Sequence, residues 1–465
     1  MWAGTTGAGM MRGIFSDEFL REARATFLLA LPLMAGQVSQ MLMGVADTLM
    51  IGRLGVTPLA ASAFANNLLY LPLVFGMGLL TCVSVRVARA RGAGVSAEAR
   101  GAVRHGFYLA SLLGCVTMLG ALLCAGQMQH FGQDPAVAAM APQYFLLVAA
   151  SMIPAFMTIA LKNHADAMNR PWPPFWILLA GVLLNVVLNA LWIYGKCGFP
   201  AWGLEGAGLA TLCARVATLL ALMWWCARAP ALREWSPARW WRRPVWPELA
   251  ALWRIGLPSG LQLLAEVSAF VMATLVIGAL GKEALAAHQV AITCAATVFM
   301  VPLGLSMALT VRVGEALGAG EVARLRVLVL SAWALAGVYT VISLAVMLGG
   351  RYQIAGWFLT EEPALGMAAG LLLVSAAFQV SDAIQIVAAG GLRGLEDVRV
   401  PALVTFVAYW CCALPVGWTL AFPLGVGLYG MWWGITLGLT VTAVVLGRRL
   451  WRLSERKIRG EMHRV

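Results

Sequence analysis

Twelve stretches of predominantly apolar residues, divided by short polar breaks, run through this sequence. Each is about 20 residues long or more, enough to carry an α-helix across the ~30 Å hydrocarbon core of a bilayer. They lie near 25–50, 56–84, 104–127, 139–160, 172–195, 204–227, 250–280, 284–311, 326–349, 365–390, 400–422 and 426–447. A transmembrane barrel would show shorter segments of alternating polarity, and none is visible. Hydrophobic residues make up 61% of the chain and charged residues 12%, too few polar groups to cover a soluble fold. A soluble enzyme, a disordered chain and a nucleic-acid-binding domain are therefore excluded. The expectation is an all-α integral membrane protein whose solvent is the lipid bilayer. Residues 1–24 lack the basic start, apolar core and cleavage site of a signal peptide. The nine cysteines show no metal-ligand spacing and read as small apolar filler within helices.

The net charge of +12 is explained by where the basic residues fall. Only Arg53, Lys196, Lys282 and Arg351 lie in loops on one side, and Arg215 lies inside the sixth run. All the others, including Arg86, Arg89, Arg91, the group from Arg228 to Arg243 and that from Arg448 to Arg464, fall on the other side. Cytoplasmic loops carry the Lys/Arg excess, so both termini are expected in the cytoplasm. The basic face then meets anionic lipid head groups, and no nucleic-acid partner is implied. Trp235, Trp240 and Trp241 in the long break after Ala227 are expected at that lipid interface.

The same break separates two copies of one unit. At a shift of 226 residues Leu31-Pro32 falls on Leu257-Pro258, and Ile51-Gly52 on Ile277-Gly278. Leu59-Ala60-Ala61 falls on Leu285-Ala286-Ala287, Arg86-Val87 on Arg312-Val313, and Gly92-Ala93-Gly94 on Gly318-Ala319-Gly320. Further on, the segment 203–206 resembles 427–430 at a shift of 224. A constant shift carrying Pro, Arg and Gly-Ala-Gly marks a duplication. Six helices per copy is even, so the copies are parallel repeats about an axis along the membrane normal, with a substrate path between them. The expected organisation is a cytoplasmic segment 1–24, a six-helix bundle 25–227, a cytoplasmic linker 228–249, a second six-helix bundle 250–448 and a basic cytoplasmic tail 449–465.

Three of the 21 acidic residues lie well inside apolar runs: Asp47, Glu266 and Asp382. A charge at the bilayer centre costs about 2.5–3.5 kcal/mol on insertion scales, so such residues face a cavity and carry function. Polar neighbours at helical spacing accompany them. Gln37, Gln40, Gly44 and Asp47 share a face of the first helix, Gln262 and Glu266 one of the seventh, and Gln379, Asp382 and Gln385 one of the tenth. Asn185 and Asn189 mark the fifth helix, His288 and Gln289 the eighth. Unsatisfied polar groups are too costly in lipid for these stripes to face it, so all are candidate cavity residues, although His288 alone reads rather as a satisfied polar residue than as a ligand. Interhelical hydrogen bonding is the alternative for each acid, and an interhelical partner is expected for Arg215. At about 1.5 Å per residue, Glu266 and Asp382 lie roughly 17 Å from the cytoplasmic end, near the midplane, and Asp47 about 9 Å from the outer end. Under the 226 shift Glu266 falls on Gln40 and Asp47 on Ala273, while Asp382 falls on Pro154 or Ala155 at 228 or 227. Each half lacks the other's acid, so the halves are expected to do different work.

LALPLMAGQVSQMLMGVADTLMIGRLG at 29–55, LNVVLNALWIYGKCGFPAWGLEGAGLAT at 184–211, GLPSGLQLLAEVSAFVMATLVIGALG at 256–281 and SDAIQIVAAGGLRGLED at 381–397 resemble the multidrug and toxic-compound extrusion (MATE) family, in its NorM-type branch. The resemblance covers about residues 20–450. It implies twelve helices in two bundles that open alternately to each side, and export of amphipathic organic cations driven by an ion gradient. It implies for Asp47, in the VADT motif, a role in proton coupling and drug release, and for Glu266 and Asp382 binding of the coupling ion, Na⁺ or H⁺, with Na⁺ the metal candidate at those two. Pro32 matches a proline at which some members bend the first helix, although here it stands near the cytoplasmic start of its run. Phe378 departs from the pattern, standing where some sodium-coupled members carry a hydroxylated aromatic.

The expected function is multidrug efflux: antiport of drugs and dyes against an inward Na⁺ or H⁺ gradient, by a monomer in a bacterial inner membrane, conferring antibiotic resistance. No cofactor beyond the coupling ion is expected. A lipid-linked oligosaccharide flippase is the alternative, but its pyrophosphate would call for basic cavity residues. An intramembrane aspartyl protease needs paired aspartates, whereas Asp47 and Asp382 differ in depth. No phosphate-binding loop is present, so the energy comes from an ion gradient and the chain is not expected to be an enzyme.

Overall fold

The apolar runs are long enough to wind into helices that satisfy every backbone donor and acceptor internally, which lipid demands. The computed structural model describes residues 17–240 and 242–459. Most of the terminal segment 1–24, Trp241 of the linker and the end of the basic tail lie outside the described residues. Among the described residues twelve helices are long and apolar enough to span a membrane: α1 Asp17–Gly52, α2 Val56–Gly92, α3 Ser96–Ala125, α4 Pro135–Ala167, α5 Trp172–Tyr194, α6 Gly203–Arg228, α7 Trp246–Gly278, α8 Lys282–Gly318, α9 Arg324–Gly356, α10 Glu362–Gly394, α11 Arg399–Ala421 and α12 Leu428–Ile458.

Most helices overrun the apolar stretches that predict them. α2 and α8 each run 37 residues, about 55 Å of helix against ~30 Å of hydrocarbon. The surplus lies mainly at the ends that carry Arg and Lys, which helix continues once its apolar segment has nucleated it. The earlier start of α1 moves Pro32 into the helix interior, correcting its expected place near the helix start.

The duplication recurs as geometry. α2 and α8 start and stop at positions 226 apart. Gly55 and Gly281 precede them with φ of 121° and 117°, and Gly94 and Gly320 follow them with φ of 73° and 74°. Only glycine adopts these conformations without strain. Val95 N–H to Ala90 O and Glu321 N–H to Ala316 O close the two helix ends in the same way. One difference stands out: α2 is interrupted at Leu80, whose carbonyl accepts from Asn163 Nδ2 at 2.8 Å, while α8 passes the equivalent Ser306 unbroken.

The chain divides into two compact units, Ala35–Leu264 and Ala265–Val465 together with the chain up to Met34. Each unit thus takes in one half of α1 and one half of α7. In the first, α4 packs against α2, α3 and α6; in the second, α10 packs against α8, α9 and α12. Glycines permit the closest crossings. A Cβ at Gly78 would lie 2.6 Å from the Ser259 carbonyl oxygen and 2.8 Å from Gly260 Cα. A Cβ at Gly304, 226 residues on, would meet Met34 N at 3.1 Å and Cα at 3.3 Å. Met34 and Gly260 are themselves 226 apart, so the same crossing is built twice.

Side-chain contacts hold the early turns of α1 and α7, an ion pair in the first and a histidine contact in the second. Glu22, buried, pairs with Arg312 and, at 2.8 Å, with Arg324. Arg312 also donates to Thr26 Oγ1 at 2.6 Å. Glu248, at the position equivalent to Glu22, instead meets the buried His105 Nδ1 at 2.9 Å with its own side chain half exposed.

The break after α6 is no loose linker. Ser236 bonds His164 at 3.1 Å, and Tyr108 donates to the Trp240 carbonyl at 2.9 Å and accepts from Arg242 N–H at 2.7 Å. Trp240 packs on Phe107 with ring centroids 5.3 Å apart. The Tyr108 hydroxyl on α3 and the His164 ring on α4 hold the segment, and Phe107 takes the Trp240 ring.

Candidate functional site

The three intramembrane acids fall into two clusters, one per unit. In the first unit α1 supplies Asp47, whose Oδ1 accepts from Asn189 Nδ2 of α5 at 2.6 Å. Asn189 and Asn185 are one turn apart and fully buried. Asn189 donates also to Asn185 Oδ1 at 3.3 Å, and Asn185 to Thr211 Oγ1 of α6 at 3.4 Å. One turn beyond Thr211, Arg215 donates to Ser151 Oγ of α4 at 2.8 Å and lies within the electrostatic field of Asp47 and Tyr144. Tyr144 accepts from Asn66 of α2 at 3.3 Å. Asp47 is thus compensated by a cation and an amide ladder. Asn189 Oδ1 is left without a partner.

In the second unit α7, α10 and α11 converge. Glu266 and Asp382 are both buried, and each lies within electrostatic reach of the other. Glu266 Oε1 accepts from Gln385 Nε2 at 3.2 Å and from the Tyr409 hydroxyl at 3.3 Å. Tyr409 also reaches Gln385 Oε1 at 3.1 Å. A phenol has a single proton, so it serves one acceptor at a time. Among the described residues Asp382 accepts no hydrogen bond. Arg393, one helical stretch further along α10, contributes its field to Glu266. Rings close the cluster: Phe270 lies 6.0 Å from both Phe378 and Tyr409, and Phe378 lies 5.8 Å from Trp432.

The predicted cavity residues separate on this geometry. Gln385 joins Glu266, and Asn185 and Asn189 join Asp47. Gln379 turns away from Asp382: it accepts from Ser343 Oγ at 2.7 Å and donates to the Met347 sulfur. Six residues of helix place Gln379 and Gln385 about 120° apart, so one polar stripe serves two faces. His288 is fully buried with both ring nitrogens engaged, accepting from Trp432 Nε1 at 3.1 Å and facing Thr274 Oγ1 at 2.9 Å. It knits α7, α8 and α12 and has no nitrogen left for a substrate. Gln37 and Gln262 are buried, whereas Gln40 and Gln289 are exposed.

Tyr409 escapes the sequence reading. It lies in a π-helical stretch, Val407–Ala413, directly before Pro415. That proline has no N–H for the carbonyl four residues back and crowds it, and such widened turns gather at functional sites. Pro415 was the available signal. Tyr409 brings to the Phe378 neighbourhood the aromatic hydroxyl that Phe378 itself lacks.

Known proteins match this arrangement. The MatE family model matches twice, over residues 32–191 and 258–419, with starts at Pro32 and Pro258. The chain is 38% identical over 456 residues to a probable multidrug resistance protein NorM of Bradyrhizobium diazoefficiens, covering 97% of each chain. It is 32% identical over 443 residues to the multidrug resistance protein MdtK of Yersinia pseudotuberculosis, covering 93% of this chain and 96% of that one. Among solved structures, a eukaryotic MATE transporter, AtDTX14, superposes with a TM-score of 0.86 at 22% identity, over 96% of this chain and 100% of that one. An outward-facing multidrug resistance MATE transporter gives 0.84 at 22%, over 94% and 96%. The fold is that of a twelve-helix, internally duplicated membrane transporter. The chain belongs to the MatE family.

Proposed function

We propose that this chain is a multidrug efflux transporter that exchanges amphipathic organic cations for inward-moving H⁺ or Na⁺ by alternating access. The observation that carries the ion-coupled reading is the pair Glu266 and Asp382, buried together with Gln385 and Tyr409 and with no basic side chain bonded to either. Two like charges held in a poorly hydrated site repel, so a cation that neutralises them is bound. A proton does so on either carboxyl. Na⁺ does so through the hard oxygens available: two carboxylates, the Gln385 carbonyl and the Tyr409 hydroxyl.

A lipophilic organic cation competes for the same negative field and gains contact with the faces of rings such as Phe270. Ion and drug exclude one another, and entry of the ion from outside favours discharge of the drug there. Asp47, balanced by Arg215, contributes the response of the first unit to the same cycle. Arg215, already engaged by Ser151, is a poor match for a pyrophosphate-bearing flippase substrate. The Lys/Arg asymmetry of the loops supports cytoplasmic termini in a bacterial inner membrane. We take the chain to act as a monomer, driven by the gradient without chemical catalysis.

Proteoliposomes loaded with ethidium and given a Na⁺ gradient or a pH gradient separately test this. Wild-type dye movement is expected under one gradient and abolished by Asp382→Asn. Dye movement that ignores both gradients, or an Asp382→Asn variant as fast as wild type, would overturn the assignment.

A further inference from the structure

The second unit carries a groove that the transport reading does not use. It is a cavity of about 640 Å³ between α9, α10 and α12. Its floor consists of small residues, Ala336, Gly337, Ala383, Ala443 and Gly447, and Val341, Ile384 and Val444 form exposed apolar walls. Small residues leave space: nothing lies within 4 Å of a Cβ built at Gly337, and one at Gly447 would just touch Trp333 Cζ2 at 3.8 Å and Ile384 at 3.9 Å.

The polar atoms of the groove are specific. Thr340 is satisfied by the Ala336 carbonyl at 2.8 Å. Trp333 Nε1 is buried and has no partner. Arg448 lines the groove and, among the described residues, makes no hydrogen bond or ion pair. Both unfilled groups are donors. Beyond Arg448 the charge continues: Trp451 and Arg452 follow one turn later on α12, and the Arg326 guanidinium lies 4.6 Å from the Trp451 ring. Arg326 stands two turns before Trp333 on α9. The groove is therefore apolar along its length and a donor of positive charge at its basic end.

The first unit handles the equivalent place differently. Trp333 falls on Phe107 at the 226 shift, and there Trp240 from the chain's own linker covers the ring, with ring centroids 5.3 Å apart.

We propose that this groove binds one anionic phospholipid, an acyl chain lying over Gly337 and Gly447 and the phosphate and ester oxygens accepting from Arg448 and the Trp333 indole. The site does not rest on the coupling-ion assignment: Ala383 follows Asp382 in the chain, but neither Arg448 nor Trp333 is a hydrogen-bond partner of Glu266, Asp382 or Asp47.

Nanodiscs containing either brominated phosphatidylglycerol or brominated phosphatidylcholine test it, because bromine quenches only tryptophans that it touches. The Trp333 signal is the part of the quenching lost in Trp333→Phe. The expected result is stronger quenching by phosphatidylglycerol, with about a fivefold preference per arginine engaged. Arg448→Gln should bring the two lipids close together, and Gly337→Phe should exclude both. Equal Trp333 quenching by the two lipids in the wild type, or a preference that survives Arg448→Gln, would overturn the proposal. Melting curves and gradient-driven dye transport of each variant confirm that it is folded, and Arg448→Gln decides the matter if Gly337→Phe does not fold.

Discussion

In the first unit Asp47 is held by an asparagine and faced by an arginine, whereas in the second Glu266 and Asp382 share a pocket of amide, phenol and aromatic rings. The early-turn anchors contrast as well. Glu22 is buried between two arginines, while its repeat equivalent Glu248 lies half exposed against a histidine. Duplication supplied two copies of one scaffold, still visible in the matched glycines at 55 and 281 and at 78 and 304. The partners of the polar side chains then diverged, even where the residue itself was kept, as at Glu22 and Glu248. One arginine's field falls on each cluster, Arg215 on Asp47 and Arg393 on Glu266, but the second cluster sets two acids against it and so leaves a charge for a mobile cation to balance. On the function proposed above, cation exchange falls chiefly to the second unit and a balancing role to the first.

The strongest challenge to this contrast is at the anchors. Glu22→Gln removes one partner of a buried pair and should lower stability by about 3–5 kcal/mol. Glu248→Gln, at a half-exposed pair, should cost less than about 1 kcal/mol. Thermal melting in one detergent measures both, and equal losses would erase the distinction. Next come the acids. Asp382→Asn should cut gradient-driven dye transport by about a hundredfold, the ~2.7 kcal/mol of a charged contact. Asp47→Asn, which leaves Arg215 in place, should cut initial rates in the same proteoliposomes by a smaller factor. The reverse order would move the exchange site to the first unit.

The paired crossings follow. Gly78→Ala drives a methyl group into backbone and should destabilise by about 1–3 kcal/mol. Gly304→Ala meets the flexible Met34 side chain first and should fall at the low end of that range, again by melting. Smallest is Tyr409→Phe. It deletes a hydrogen bond worth about 1 kcal/mol, so the coupling-ion concentration for half-maximal transport should shift about fivefold with the maximal rate largely kept.

Much of this was legible in the sequence, for physical reasons. Spans are legible because lipid imposes length and apolarity on each run, and the repeat is legible because Pro, Arg and Gly-Ala-Gly recur in register. The acids stand out because a carboxylate inside an apolar run is costly. Partner choice was less accessible. Gln379 and Gln385 look alike in a helical stripe, but only packing against α9 or α7 separates them. His288 reads from the sequence as a satisfied polar residue rather than a ligand, and Trp432 and Thr274, each on another helix, are the partners that satisfy it. Tyr409 depends on a widened turn, and only Pro415 hinted at that. The docking of Trp240 on Phe107 needed the fold of α3 and could not be read from the composition of a loop.

The contact between Glu22 and Arg312 joins residues 290 positions apart. At about 5–20 residues per second of synthesis, the first helical turns of α1 wait some tens of seconds for the arginines that neutralise Glu22. During that interval the nascent chain carries an acid whose partner does not yet exist, and the first unit lacks the half of α7 that completes it. The first unit is complete once Leu264 is made, early in the second copy, whereas the second unit must hold the opening half of α1 in waiting until its own α8 and α9 follow.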